Sequence, residues 1–118
     1  MFFISITRLR LKSVLHLIPF FWHIYRSTRQ LKKAPGFIKG KLLTDKNRTY
    51  WTMTVWKSAD DMMGYRNSKE HKQAMPKLQD WCNEASIVHW QQEEELLPSW
   101  TDAHRRMQIE GRKSKVKK

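Results

Sequence analysis

The sequence predicts an α+β chain of the ferredoxin-like class, with a four-stranded antiparallel sheet carrying helices on one face. Two observations lead there. The elements alternate as strand, helix, strand, strand, helix, strand, which is the split βαβ order. Within that order, "RTYWTMTVWKS" (Arg48–Ser58) sets Tyr50, Thr52, Thr54 and Trp56 on one face and Trp51, Met53 and Val55 on the other. A face that mixes threonines with large aromatics suits neither open water nor a dry core. It suits the lining of an enclosed, partly polar space.

The elements follow in order. "MFFISITRL" (Met1–Leu9) alternates as a strand. Pro19 fits the first turn of a helix, where its missing N–H costs nothing. Phe20, Phe21, Ile24, Tyr25, Thr28 and Leu31 then recur at helical spacing, and "APG" (Ala34–Gly36) stops the helix. "FIKGKLLTD" (Phe37–Asp45) pairs with Arg48–Ser58 as a hairpin across "DKNR", with Asn47 suited to positive φ. Ser58, three residues before Asp61, reads as the N-cap of a short helix over Ala59–Tyr65. Ser68 can cap a second segment through His71, Met75, Leu78 and Trp81, with Pro76 as a joint. "EASIVHWQQ" (Glu84–Gln92) is the fourth strand. "WTDAHRRMQIEG" (Trp100–Gly111) is a last short helix ended by glycine. Residues 1–111 make one domain, and 112–118 a basic, mobile tail.

The chain has 118 residues, 40% hydrophobic and 29% charged, which suits a globular domain with a core of its own. One cysteine, Cys82, excludes an internal disulfide and a paired-cysteine metal site, and fits a cytoplasmic setting. The net charge of +12 divides as +10 over residues 1–48, −4 over 49–104 and +6 over 105–118. Such basic ends are either a solvated surface or a mark of an anionic partner. "VLHLIPFFWHIY" (Val14–Tyr25) is the longest apolar run, well short of the about 20 residues that span a bilayer, so no spanning helix is expected. It leaves peripheral membrane contact open. No small-residue cleavage site, phosphate-binding glycine loop, nucleic-acid motif or paired carboxylate is visible, and no nucleic-acid partner is expected.

With all helices on one face, the other face of the sheet would be bare. Tyr50, Trp56 and Phe3 there would make too large an apolar patch for a monomer. A second copy placed face to face is the economical cover, which predicts a homodimer whose two sheets enclose a cavity.

Five stretches also carry a family resemblance: "PGFIKGKLL", "RTYWTMTVW", "RNSKEHKQAMPKL", "WCNEASIVHW" and "LPSWTDAHRRM…EGRKSKV". Over about Phe3 to Val116 the chain resembles a bacterial family of unassigned function. That family lies among the antibiotic-biosynthesis-monooxygenase-like dimeric α+β barrel proteins, near spheroidene monooxygenase. The resemblance implies the dimeric barrel. It leaves the reaction open among cofactor-free oxygenation of quinol-type aromatics, haem degradation, haem-dependent peroxidase or dehydratase chemistry, and none. It therefore leaves the cofactor open between none and haem.

His71 and Asn67 are the candidate catalytic residues. A helix histidine faces the cavity or ligates iron in some relatives of this kind, and imidazole can do either or move a proton. The alternative for His71 is a solvent-facing turn residue. Asn67 could orient oxygen or a carbonyl, or be a turn residue. Tyr50, Thr52, Thr54 and Trp56 are the pocket-lining set, with Trp81 as a wall and His89 as a further candidate. His89 and Trp90 point to opposite faces, and the sequence leaves open which is inside. Cys82 reads as a small buried hydrophobe. No metal site is expected, His71 aside if haem binds. Three functions compete: an oxygenase-like oxidoreductase acting on a planar apolar molecule, a non-catalytic module binding an apolar or haem-like ligand, and a binder of anionic polymer.

Overall fold

The structure, a computed structural model, describes residues 1–113 apart from the side chains of Lys69, Glu70, His71, Gln73, Ala74 and Met75. Residues 114–118 lie outside it. The strands are β1 (Phe2–Leu11), β2 (Phe37–Asp45), β3 (Thr49–Trp56), β4 (Cys82–Gln92) and β5 (Arg112–Lys113). The helices are α1 (Leu17–Lys33), entered by a 3-10 turn at Val14–His16, then α2 (Ala59–Arg66), α3 (Lys69–Trp81) and α4 (Trp100–Glu110). The sheet order is β2-β3-β1-β4-β5 with every neighbour antiparallel, so the central β1 is flanked by β3 and β4. This is the expected α+β ferredoxin-like arrangement, with one short strand added. The two residues of β5 open the basic tail and pair with Ser86 and Ile87 of β4.

The local signals explain the boundaries. Pro19 is the third residue of α1, within the turn whose N–H groups have no helical acceptor. Ser58 and Ser99 cap α2 and α4, each hydroxyl accepting from the backbone N–H three residues on, of Asp61 and Asp102, at 3.1 Å. The β2–β3 hairpin turns through Asn47 and Arg48 at φ 57° and 58°. Paired left-handed residues match the strand twist. Asn47 was legible; Arg48 was not, and its conformation is held by β1. The Leu11 N–H donates to the Arg48 carbonyl at 3.1 Å, and Arg48 Nε donates back to the Leu11 carbonyl at 3.4 Å. Gly36 has φ 81° and lies so close to Asp61 that a Cβ would collide with the carboxylate, which lets the start of α2 pack against the start of β2.

The register assigns the faces. Ser5, Thr7 and Leu9 of β1 lie opposite Thr54, Thr52 and Tyr50 of β3, and opposite His89, Ile87 and Ala85 of β4. This row faces α1, α2 and α3. The other row holds Ile4, Ile6, Trp51, Met53, Val55 and Val88, which form the larger core with Ala103 and Met107 of α4.

This corrects the expected cover. The sheet face opposite α1–α3 is not bare: α4 closes it, and Ile4, Ile6, Met53 and Val55 are buried within one chain. The threonine face is the one the helices cover. The physical reason is Ala103, whose small side chain lets α4 lie close on the strands beside Met107. The enclosed space lies between sheet and helices of a single chain, not between two sheets.

Candidate functional site

Between the sheet and α1–α3 lies a cavity of about 570 Å3, within the size range of small-molecule sites. Its floor is the polar row Ser5, Thr7, Thr52 and Thr54, with Ala85, Ile87 and His89 of β4 beside it. Ile24 and Leu31 of α1, Met62 of α2 and Leu78 of α3 supply the apolar cover. One end is an aromatic wall. The Trp56 ring meets Tyr65 at 5.6 Å and Phe37 edge-on at 5.5 Å.

The polar groups are mostly held by the protein. Thr54 Oγ1 donates to the Ser5 carbonyl at 3.3 Å and accepts from Trp56 Nε1 at 2.9 Å, which fixes the indole against the wall. The Tyr65 hydroxyl donates to the Ser27 carbonyl at 3.4 Å, and His23 Nε2 lies 3.3 Å from Ser27 Oγ. Burial pushes the Tyr65 phenol up, so it stays protonated and a donor. His89 packs its ring 5.3 Å from Phe3. Burial holds His89 below the ordinary imidazole value, and the Arg66 and Arg112 charges add to the effect. A neutral imidazole facing the cavity is a proton acceptor.

Among the described residues, the charged groups of the lining are all cations. Arg66 and Lys32 are exposed at the rim. Lys39 and Lys41 also border it, although pairing with Val55 and Met53 sets them on the α4 side of β2.

The structure brings Thr52, Thr54, Trp56 and His89 together as lining and answers the question of β4. His89 lies opposite Ser5 on the cavity side, and Trp90 lies opposite Ile4 on the α4 side. Arg106 sits 4.2 Å over the Trp90 ring there. Tyr50 belongs to the same row but is buried below the cavity, 5.0 Å from Phe20 and 5.3 Å from Phe21. Trp81 packs beside that cluster, edge-on to His23 at 6.3 Å. Asn67 is the C-cap of α2 with an exposed side chain, outside the lining, and its N–H donates to the Met63 carbonyl at 2.9 Å. His71 falls on α3, and its side chain is outside the described residues. Cys82 is buried, and burial pushes its thiol up to about 11. Among the described residues no three His, Cys, Asp or Glu side chains are placed to hold a metal.

Sequence reasoning missed the contributions of the helices: His23, Ser27, Tyr65 and Arg66. Ser5 and Thr7 carried a signal, since they extend the polar alternation of β3 onto β1.

Residues 19–114 match the family described as a domain of unknown function, DUF3291. The chain belongs to that family. No curated protein matches the chain in sequence. Solved structures match its fold. SnoaB of Streptomyces nogalater, described as a cofactor-independent oxygenase, is 14% identical with a TM-score of 0.68, over 80% of this chain and 96% of that one. Rv0793 of Mycobacterium tuberculosis is 8% identical with a TM-score of 0.72, over 80% and 98%. A protein described as an antibiotic biosynthesis monooxygenase is 7% identical with a TM-score of 0.69, over 78% and 99%. The fold of this DUF3291 chain is that of the antibiotic-biosynthesis-monooxygenase-like proteins.

Proposed function

We propose that the protein is an oxygenase-like oxidoreductase acting on a planar, apolar, electron-rich aromatic molecule. The observation that carries this is the cavity itself: about 570 Å3, apolar on the helix side, walled by Trp56, Tyr65 and Phe37, with His89 facing in. The fold shared with a cofactor-independent oxygenase supports the reading. A flat ring would stack on the aromatic wall. The Thr52 and Thr7 hydroxyls would meet its polar edge.

The chemistry needs one base. Neutral His89 would take a proton from an acidic methylene next to an aryl carbonyl, leaving a delocalised carbanion. That carbanion is electron-rich enough to reduce oxygen. One oxygen atom becomes a new carbonyl oxygen on the substrate. The other leaves as water with both methylene hydrogens, and all four electrons come from the substrate. The helix cover would shield the carbanion from bulk water on the side of Ile24, Met62 and Leu78. Haem, open from the resemblance with His71 as ligand, supplies no step here, because the His71 side chain is outside the described residues. The homodimer and the cytoplasmic setting are parts of the same proposal. The site does not depend on a second copy, since every residue named lies on one chain.

A second reading, a binding module without turnover, is favoured by the internal pairing of Thr54, Tyr65 and His23, which leaves His89 as the group on which chemistry would turn. Oxygen uptake with anthrone as probe separates the two. The oxygenase reading predicts one oxygen consumed per anthrone converted to the quinone. It also predicts a loss of about 100-fold or more in His89→Gln. Saturable anthrone binding with no oxygen uptake would replace it by the binding module. Neither binding nor uptake would overturn both.

A further inference from the structure

Among the described residues, the most exposed apolar surface is not at the cavity. Helix α1 has two apolar faces. Leu17, Phe20, Ile24 and Leu31 turn inward. Ile18, Trp22 and Tyr25 recur at i, i+4 and i+7 on the outside, extended by Leu15 of the preceding turn. These four are 84%, 63%, 55% and, for Leu15, 83% exposed. Trp22 and Tyr25 stack at 5.9 Å, and the Arg29 guanidinium lies 5.9 Å over the Tyr25 ring. The other charged residues of α1 are Arg26, Lys32 and Lys33, with Lys12 just ahead of it, and no acidic residue occurs between Met1 and Thr44.

From this we propose that the outer face of α1 docks on an anionic lipid surface. An amphipathic helix with Trp and Tyr on its exposed apolar stripe and cations alongside is the chemistry of interfacial binding. Trp and Tyr prefer the headgroup level, and the cations gain from anionic lipid. No helix among the described residues is long and apolar enough to cross a membrane, so α1 lies on the surface. A second copy is a poorer occupant, because self-pairing on α1 would set Arg26, Arg29, Lys32 and Lys33 of one copy against those of the other. Nucleic acid would satisfy the charges and leave Ile18 and Leu15 unused. The inference does not rest on the reading of the cavity.

Co-sedimentation with vesicles tests it, using phosphatidylcholine alone and an equal mixture with phosphatidylglycerol. The protein is expected to sediment with the mixed vesicles and not with the neutral ones. Ile18→Ser/Trp22→Ser, on an exposed face that the fold does not need, should keep the native far-UV dichroism and bind at least tenfold more weakly. Arg26→Gln/Arg29→Gln should weaken binding about 25-fold, since each cation near such a surface is worth about fivefold. Failure to bind the mixed vesicles overturns the proposal. So does equal binding by the Ile18→Ser/Trp22→Ser variant. Self-association that this variant abolishes, without vesicle binding, would assign the face to a second copy instead.

Discussion

His89 is the side chain on which the proposed chemistry turns, and its ionisation gives a direct handle. Burial first, then Arg66 and Arg112, hold its pKa below the ordinary 6.5. Replacing Arg66 by Gln removes one cation, so the His89 pKa should rise. The acid limb of the pH–rate profile should then move to higher pH in Arg66→Gln; an unmoved limb would assign the base to another group. The same shift links to stability. As pH falls, the unfolded chain takes up this proton before the folded one does. The contribution of the neutral imidazole is therefore complete above about 6.5 and is lost as pH falls from there toward the folded pKa. Cys82 behaves oppositely as a reagent. With its thiol pushed up to about 11 by burial, it should resist alkylation at mildly alkaline pH in the native protein. It should react at once in denaturant. Fast native labelling, followed by mass spectrometry, would show that the end of α3 opens.

The elements were largely legible because their signals are local. Ser58 and Ser99 before their helices, Asn47 in the hairpin, and the period-two rows of β1, β3 and β4 each act within a few residues of chain. What no local pattern carries is which face of the sheet a later helix covers. α4 lies last in the chain, and its contact with β1, β3 and β4 depends on Ala103 and Met107 meeting strands up to about a hundred residues earlier. The expectation of a bare sheet face failed there. The energetic ranking of the α4 residues follows. Met107→Ala, which opens a gap over Met53 and Val55, should cost about 2–5 kcal/mol. Ser99→Ala, which removes one cap bond, should cost about 1 kcal/mol. Urea unfolding curves of the two variants read this difference, and similar midpoints would mean that α4 contributes little to the core.

At the scale of the whole molecule, the polar row on β3 borders a cavity, but the surface facing it is α1–α3 rather than a second sheet. Thr52, Thr54 and Trp56 were visible because strand alternation announces a face; for β4 the sequence left His89 and Trp90 as alternatives, and only the pairing with β1 decides between them. His23, Ser27, Tyr65 and Arg66 were not, because the helices meet the strands only through the long-range fold. The two apolar faces of α1 show the same limit: periodicity alone does not tell inward Phe20 and Ile24 from outward Trp22 and Tyr25. Among the described residues, the fold places the larger core on the α4 side of the sheet and the cavity on the α1–α3 side, above the smaller cluster of Leu11, Phe20, Tyr50 and Cys82. That division is the central claim, and filling the cavity from the sheet tests it most directly. Thr52→Phe keeps a strand-favouring residue on β3 and projects a ring into the space. Calorimetric titration with an anthraquinone sulfonate, a soluble planar probe, should give one site per chain in the native protein and at least tenfold weaker binding in Thr52→Phe. Equal affinity in the two proteins, or no saturable binding in either, would contradict the placement of a ligand between the sheet and α1–α3.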